Sequence, residues 1–465
     1  MEHPPPPEPA WDRGPIPPEP EPPPGPDHPI RLVVTDDRRR SRLTVFFRLL
    51  LAIPHLIWYL LWSIATVVVV VIGWFIALFT GRMPEGLHGF VARYVRYGTH
   101  LFAYLTLAAN PFPGFAGDPG YPIDVEIDGP ERQSRWKTGF RLLLAVPALV
   151  IEATLLGLPG AGSGGSGAGG QEAGGEDAVI GIGIAFLVAF FAWFACLVRG
   201  RMPHGFRHLN AYALRYYAQT SGYLFLLTDR YPFTGPFDVP DPEPPPPAPI
   251  RIAIDDDLRR SRLTVLLRLP LAFPHLVWLG LWSVAAVLAA LVNWLVTLAV
   301  GRSPAALHRF LAAFLRYQTH VYAFLSLVAN PFPGFTGTAG SYPVDLEIDG
   351  PHRQHRLVTL FRTVLAIPAW FLALSLFGLL FVVAIFGWFV SLALGRMPEG
   401  LRDAGAFVLR YAAQANGYGF HLLTDRYPYS GPADRRLAAP DEEAEPAPAL
   451  PPLPPEPPPP GLAPA

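Results

Sequence analysis

The chain has one cysteine, one lysine and little charge of either sign. A single cysteine, Cys196, excludes an internal disulfide framework and a cysteine-rich zinc site. Charged residues fill 16% of 465 positions, 36 basic against 37 acidic, for a formal net charge of -1. A typical soluble domain carries about 25% charge. A balance this close to neutral offers no electrostatic basis for holding nucleic acid. Lys137 is the lone lysine, and every other basic residue is arginine. With the abundant Ala, Gly and Pro, this reads as the codon bias of a GC-rich bacterial genome. There is no Walker pattern, no His-Glu-x-x-His and no nucleophile elbow. The opening "MEHPPPPEP" lacks the apolar core of a secretory signal.

What is present is apolar and repeated. Hydrophobic residues make up 51% of the chain. Residues 29–115 align with 249–335 without a gap, and 48 of 87 positions are identical. A second pair relates "YPIDVEIDGPERQSRWKTGFRLLLAVPA" at 121–148 to "YPVDLEIDGPHRQHRLVTLFRTVLAIPA" at 342–369. The two pairs are related to each other. Each unit carries Phe-Arg or Leu-Arg, a proline six residues on (Pro54, Pro147, Pro274, Pro368), then Gly-Arg (Gly81, Gly200, Gly301, Gly395), then Arg-Tyr. The order is A-B-A-B, with units at 29–120, 121–238, 250–340 and 341–432. A stiff Pro-rich linker at 239–249 joins the halves, and Pro-rich tails at 1–28 and 433–465 read as disordered.

Between Arg48 and Arg82 no residue is charged. As a helix this run extends roughly 50 Å at about 1.5 Å per residue, against a bilayer core of about 30 Å. Unit two carries a Gly/Ser-rich insertion at 158–178 in the middle of the same run. Such a loop cannot continue a helix through lipid, but it can lengthen a hairpin tip. The expectation is therefore a mainly α membrane protein of four helical hairpins, eight transmembrane helices in all. Arginines bracket each hairpin, which places both termini and the linkers on the cytoplasmic side. After each Gly-Arg, helical spacing of Leu87, Phe90, Val91 and Val95 predicts an amphipathic helix on the cytoplasmic leaflet. Whether these helices also span is left open. "PIDVEID" at 122–128 alternates with period two and predicts a short β-strand, one per unit.

The motifs Pro-Ile-Arg, "FFRLLLAIPH", "GRMPEGL" and "LLTDRYP", in that order, resemble the domain of unknown function 4389 family, found in bacterial multi-pass membrane proteins. The resemblance covers about 29–432 in four copies. It implies the membrane class and no chemistry. Unit three departs with "GRSPAAL" at 301–307, and units one and three end in "ANPFPGF" where the others have "TDRYP".

Several residues are candidates for a site. Arg48, Arg141, Arg268 and Arg362 occupy one position in the four units, near the start of the apolar run. They read as structural or lipid-headgroup arginines that snorkel to the phosphate layer. Arg96, Arg215, Arg316 and Arg410 precede Tyr on the following helix and invite the same reading. His55 and His275 follow the proline in the A units, and His100 and His320 alternate with Gln219 and Gln414. Symmetric packing would bring the four histidines together; polar hydrogen bonding between helices is the plainer role, and no metal is assigned. Glu152 is an isolated acid in the apolar run of unit two. No cofactor and no catalytic residue is expected, so the chain is read as a non-enzyme. Its expected partners are the lipid bilayer and other membrane proteins. The expected function is a non-catalytic scaffold or lipid-associated protein of the bacterial cell membrane; the alternative is a transporter or channel for a small solute or ion.

Overall fold

The computed structural model describes residues 28–157, 183–237, 239 and 248–432. The expected disorder of the tails and most of the linker at 239–249 lie outside the described residues. Unit one consists of strand β1 (Ile30–Val34), a 39-residue helix α1 (Arg42–Thr80) and a 21-residue helix α2 (Glu85–Leu105). Unit two has β2 (Ile123–Ile127), α3 (Arg135–Gly139), α4 (Arg141–Leu156), α5 (Ile184–Arg199) and α6 (His204–Leu224). Unit three has β3 (Ile250–Ile254), α7 (Arg262–Leu266), α8 (Arg268–Val300) and α9 (Ala305–Leu325). Unit four has β4 (Val344–Ile348), α10 (Arg356–Leu394) and α11 (Glu399–Gly419).

The apolar run of each unit is a rod, and this corrects the expectation of four hairpins and eight spans. Helix α1 continues through Pro54 without a turn, and α10 does the same through Pro368. Among the described residues three helices are long and apolar enough to cross a membrane: α1, α8 and α10. In unit two the rod is assembled from α3, α4 and α5. A Cβ at Gly183 would stand 2.1 Å from the Gly157 amide nitrogen, so the ends of α4 and α5 abut. The two halves of this rod therefore meet end to end, although 25 residues, 158–182, separate Gly157 from Gly183 in sequence.

The chain reverses at Gly-Arg instead. Gly81, Gly200, Gly301 and Gly395 have φ of 75°, 66°, 79° and 71°. This left-handed conformation closes a helix, and glycine adopts it without a Cβ penalty. The same glycines clasp the neighbouring rod. The Arg40 amide donates to the Gly200 carbonyl and the Gln133 amide to that of Gly81, both at 2.9 Å; Arg260 with Gly395 and Gln354 with Gly301 repeat the pair at 2.9 Å. The start of one rod thus meets the end of its partner, and the rods of each A-B pair run antiparallel.

The four rods lie side by side in the order one, two, four, three. On one side of them sits an inner layer made of α2, α6, α9 and α11, each packed on its own rod. The halves meet between units two and four, where glycines let the backbones approach. A Cβ at Gly205 would stand 2.8 Å from the Ser430 nitrogen, and one at Gly400 2.9 Å from that of Gly235. These reciprocal contacts define a pseudo-two-fold. The inner helices were expected on a membrane surface as amphipathic helices; α6 and α11 are instead buried along almost their whole length.

The strands form two ribbons. β1 pairs antiparallel with β2, Leu32 opposite Val125, and β3 with β4, Ile252 opposite Leu346. Ile123 and Val125 are buried against the inner layer, as the alternation predicts. Each ribbon lies over the middle of a rod pair. Arg96 of α2 donates to the Val125 carbonyl at 3.1 Å, and its neighbour Tyr97 bonds His55, about a third of the way along rod one. Gln219 of α6 donates to the Ile30 carbonyl at 3.2 Å, one helical turn before Tyr223, whose carbonyl Arg141 of the antiparallel rod two holds.

Candidate functional site

The polar interior is arranged around one repeated device. Each inner helix ends and its chain turns at a leucine with positive φ: Leu107 at 62°, Leu226 at 67°, Leu327 at 61°, Leu422 at 56°. A helix end leaves carbonyls without partners. A buried arginine of the rod satisfies them. Arg48 donates to the carbonyls of Tyr104 (2.5 Å) and Ala109 (2.9 Å). Arg141 donates to Tyr223 and, at 2.9 Å, to Thr228. Arg268 donates to Phe324 and, at 3.1 Å, to Ala329. Arg362 donates to Tyr418 at 3.4 Å and Thr424 at 2.9 Å. Each guanidinium also lies 4.3 to 5.1 Å from the ring centre of Tyr104, Tyr223, Phe324 or Tyr418. The cation sits at a helix C-terminus, where the dipole favours it. In unit two the clamp arginine adds an ion pair, Arg141 with Asp229 at 2.7 Å; units one and three place Asn110 and Asn330 there.

The second arginine set holds the strands and loops. Arg96 and Arg316 donate to Val125 and Leu346 at 3.1 and 2.9 Å. Arg215 donates to Phe233 at 3.0 Å and to Gly235, and Arg410 to Gly431. The histidines do not converge. Units one and three hold the outer rods; His55 and His275 have partners in their own units, and His100 and His320 reach the strand of the following unit. His55 bonds Tyr97 at 2.8 Å and His275 bonds Tyr317 at 2.9 Å. His100 pairs with Asp124 at 2.9 Å and His320 with Asp345 at 2.7 Å. Burial opposes ionisation of Asp124 and Asp345, but the histidine and the amides of Gly120 and Val125, or Gly340 and Leu346, hold both carboxyls below their usual range. Among the described residues no group of three His, Cys, Asp or Glu is placed to hold a metal. Glu152 is half-buried on α4, near the hydroxyls of Tyr59, Tyr216 and Tyr217.

Two polar features escaped sequence reasoning. Arg40 and Asp36 form a buried ion pair at 2.8 Å, repeated by Arg260 and Asp256 at 2.7 Å. Arg40 also donates to the carbonyls of Leu107 and Ala108 at 2.9 and 2.6 Å. Its signal was present: Asp and Arg four apart recur in both A units, while the B units put Gln133 and Gln354 at the arginine position. The second feature accounts for Ser303 in the divergent motif of unit three. Gly73 and Gly387 make room for Met83 and Met397, whose Cε atoms would lie 2.9 and 2.7 Å from an added Cβ. Unit three replaces that pair with Asn293 and Ser303, joined by a hydrogen bond of 2.7 Å, and Asn293 donates to the His421 carbonyl at 3.0 Å. Side-chain volume moved from one residue to the other, and the polarity changed on both.

The remaining surface of note is the outer face of the rods. The buried stripe of α1 is narrow and mostly small: Ala52, Thr66, Gly73, Ala77. The rest is large, apolar and exposed, from Leu43, Phe46 and Leu50 through Ile57, Ile64 and Val68 to Phe75 and Phe79. On α10 the exposed residues recur as Leu357, Leu360, Val364, Phe371, Leu374, Phe381 and Phe389. A contiguous apolar face on this scale marks a binding or membrane surface. Exposed arginines stand at every rod end. Arg39 and Arg42 adjoin Arg199 and Arg201; Arg82 adjoins Arg132 and Arg135. Arg259 and Arg262 adjoin Arg396, and Arg302 adjoins Arg353 and Arg356.

Four helix pairs with an apolar outer face and arginine-capped ends define a repeat protein compatible with a membrane location. The domain of unknown function DUF4389 matches at residues 42–116, 179–236, 262–336 and 356–430, more than half of the chain, and the chain belongs to that family. No curated protein and no solved structure matches it.

Proposed function

We propose that the protein is a non-catalytic, lipid-associated scaffold of the bacterial membrane. One observation carries this reading: the ionisable side chains inside the fold bind the fold itself, while the widest unpartnered surface is apolar. Arg48, Arg141, Arg268 and Arg362 are occupied with backbone carbonyls. His55, His100, His275 and His320 each have a tyrosine or aspartate partner. Catalysis needs a cluster of acids, bases or ligands facing a cavity, and transport needs polar groups lining a path. The buried stripe of α1 is instead mostly small, and that of α10 is mostly alanine and leucine, which favour close helix packing over a polar path.

Purification in native lipid discs, followed by mass spectrometry of bound species, tests this. A stoichiometric membrane-protein partner or a shell of lipids supports the scaffold. A tightly held small solute, displaced by mutation of Glu152 or the tyrosines around it, contradicts it in favour of transport.

A further inference from the structure

The orientation of the rods in lipid follows from three features of the fold. The first is length. Helix α1 has 39 residues, about 58 Å at ~1.5 Å per residue, and its exposed apolar residues reach from Leu43 to Phe79. An upright rod would put nearly half of that surface outside a hydrocarbon core of about 30 Å.

The second is where the charge lies. Each ribbon crosses the middle of a rod pair on the far side of the inner layer. Its outward residues are charged and reach solvent: Arg31 pairs with Asp128 at 2.9 Å, and Arg251 with Asp349 at 3.1 Å. Glu126 and Glu347 are about 60% exposed. If the rods stood upright, these charges would face the hydrocarbon at mid-bilayer, a position that is costly for every ionised side chain.

The third is the rim. Antiparallel rods put arginines at both ends of the apolar face, in four corners. Upright, they would occupy both sides of the membrane without asymmetry, against the usual bias toward the cytoplasmic side. Among the described residues, Arg42, Arg82, Arg132, Arg135, Arg199 and Arg201 have no carboxylate partner. Trp136, between Arg135 and Lys137, is 78% exposed, and tryptophan beside basic residues is typical of the headgroup boundary.

We infer that the rod layer lies flat in one leaflet of a phospholipid bilayer, with the four arginine corners on lipid phosphates and the charged ribbons facing water. This rests on the membrane reading above and specifies its geometry. A single helix layer is about 10 Å deep, which matches the ~5–10 Å to which interfacial helices sink. Arginine suits phosphate because its planar fork donates two parallel hydrogen bonds. A second copy laid face to face over the same surface would set arginine corner against arginine corner, a like-charge contact that lipid phosphate avoids.

The test uses the full chain with Cys196→Ser and one new cysteine at a time, Ser41→Cys, Arg82→Cys or Glu126→Cys. Right-side-out and inverted membrane vesicles are treated with a membrane-impermeant maleimide. The inference expects all three positions to react from the same side. Reaction of Ser41→Cys and Arg82→Cys from opposite sides, with Glu126→Cys protected, overturns it and leaves the membrane reading standing. A chain that fails to sediment with membranes, and whose Ile64→Cys variant cross-links between copies, overturns both. Flotation with vesicles of phosphatidylglycerol and phosphatidylcholine tests the corners separately. Arg42→Gln, Arg82→Gln, Arg135→Gln and Arg201→Gln together are expected to weaken binding to the anionic vesicles at least tenfold, with unchanged thermal unfolding; unchanged binding contradicts the phosphate contacts.

Discussion

The rods and the inner helices differ in a way that inverts the usual order of a water-soluble fold. Helix α1 is the more apolar and is mostly exposed; α6 carries arginine, histidine, asparagine and glutamine and is almost entirely buried. In water this would be unfavourable on both counts, since apolar burial drives folding and buried polar groups cost free energy unless paired. The inner layer meets the second condition by pairing: Asn210 donates to the Thr106 carbonyl at 2.7 Å, Gln219 bridges Ile30 and Phe233, and Arg215 reaches Phe233 and Gly235. The rods meet the first if their outer face lies in lipid. The lesson is a division of labour. With the rods in lipid, the inner layer would decide whether the chain folds, and the outer face where the folded chain resides.

That division can be broken from either side. The largest effect is expected at the clamps. Arg141→Leu leaves two buried carbonyls without their donor and Asp229 with only the Ser134 amide and Lys137, and should cost about 3–5 kcal/mol, the usual result of breaking a buried pair. Thermal unfolding in lipid discs reads it, and membrane association of the remaining folded chain should not change. Next is the outer face. Replacing Leu50, Ile57, Ile64 and Val68 together with serine should strip the protein from membranes at low salt while shifting the unfolding midpoint little, because these side chains contact no core. A large loss of stability there would dissolve the distinction between the layers.

The volume exchange in unit three gives a smaller, sharper test. Gly73→Asn alone drives a side chain into Met83 and should destabilise by about 1–3 kcal/mol, as overpacking does. Adding Met83→Ser should recover most of that loss, a coupling measured by a double-mutant cycle. The smallest effect is pH dependence of the ribbons. Asp124 and Asp345 are held below the usual 3.8 in the folded state. Their contribution is present above that value and is lost as pH falls through the lower folded value. Asp124→Asn with Asp345→Asn should flatten the acid limb of the unfolding curve below about pH 4, where the unmodified chain loses stability.

Much of this architecture was legible in the residues. The four units, the strands on either side of Val125 and Leu346, and the helix following each Gly-Arg come directly from repetition and periodicity. The hairpins are absent for a physical reason. An insertion in an apolar run reads as a turn, yet Leu156 and Gly157 meet Gly183 across it, so the helix ends on either side abut. The contrary signal lay in unit one, where "LWSIATVVVVVIGWF" offers no proline or asparagine at the supposed tip, and its one glycine, Gly73, packs against Met83. The clamp arginines stand out by recurrence, but their partners do not, because backbone carbonyls leave no mark in a sequence. Arg40 and Asp36 are hard to single out because they stand among exposed arginines that serve the rim.

The rod is the claim on which the layers, the rim and the flat orientation all depend. Spin labels at Ser41 and Arg82, read by double electron–electron resonance in lipid discs, measure it directly. A continuous rod separates the two positions by about 60 Å at ~1.5 Å per residue. A separation of about 20 Å or less would mean that the apolar run folds back on itself as a hairpin, and the rod, with the layers and the flat orientation built on it, would be wrong.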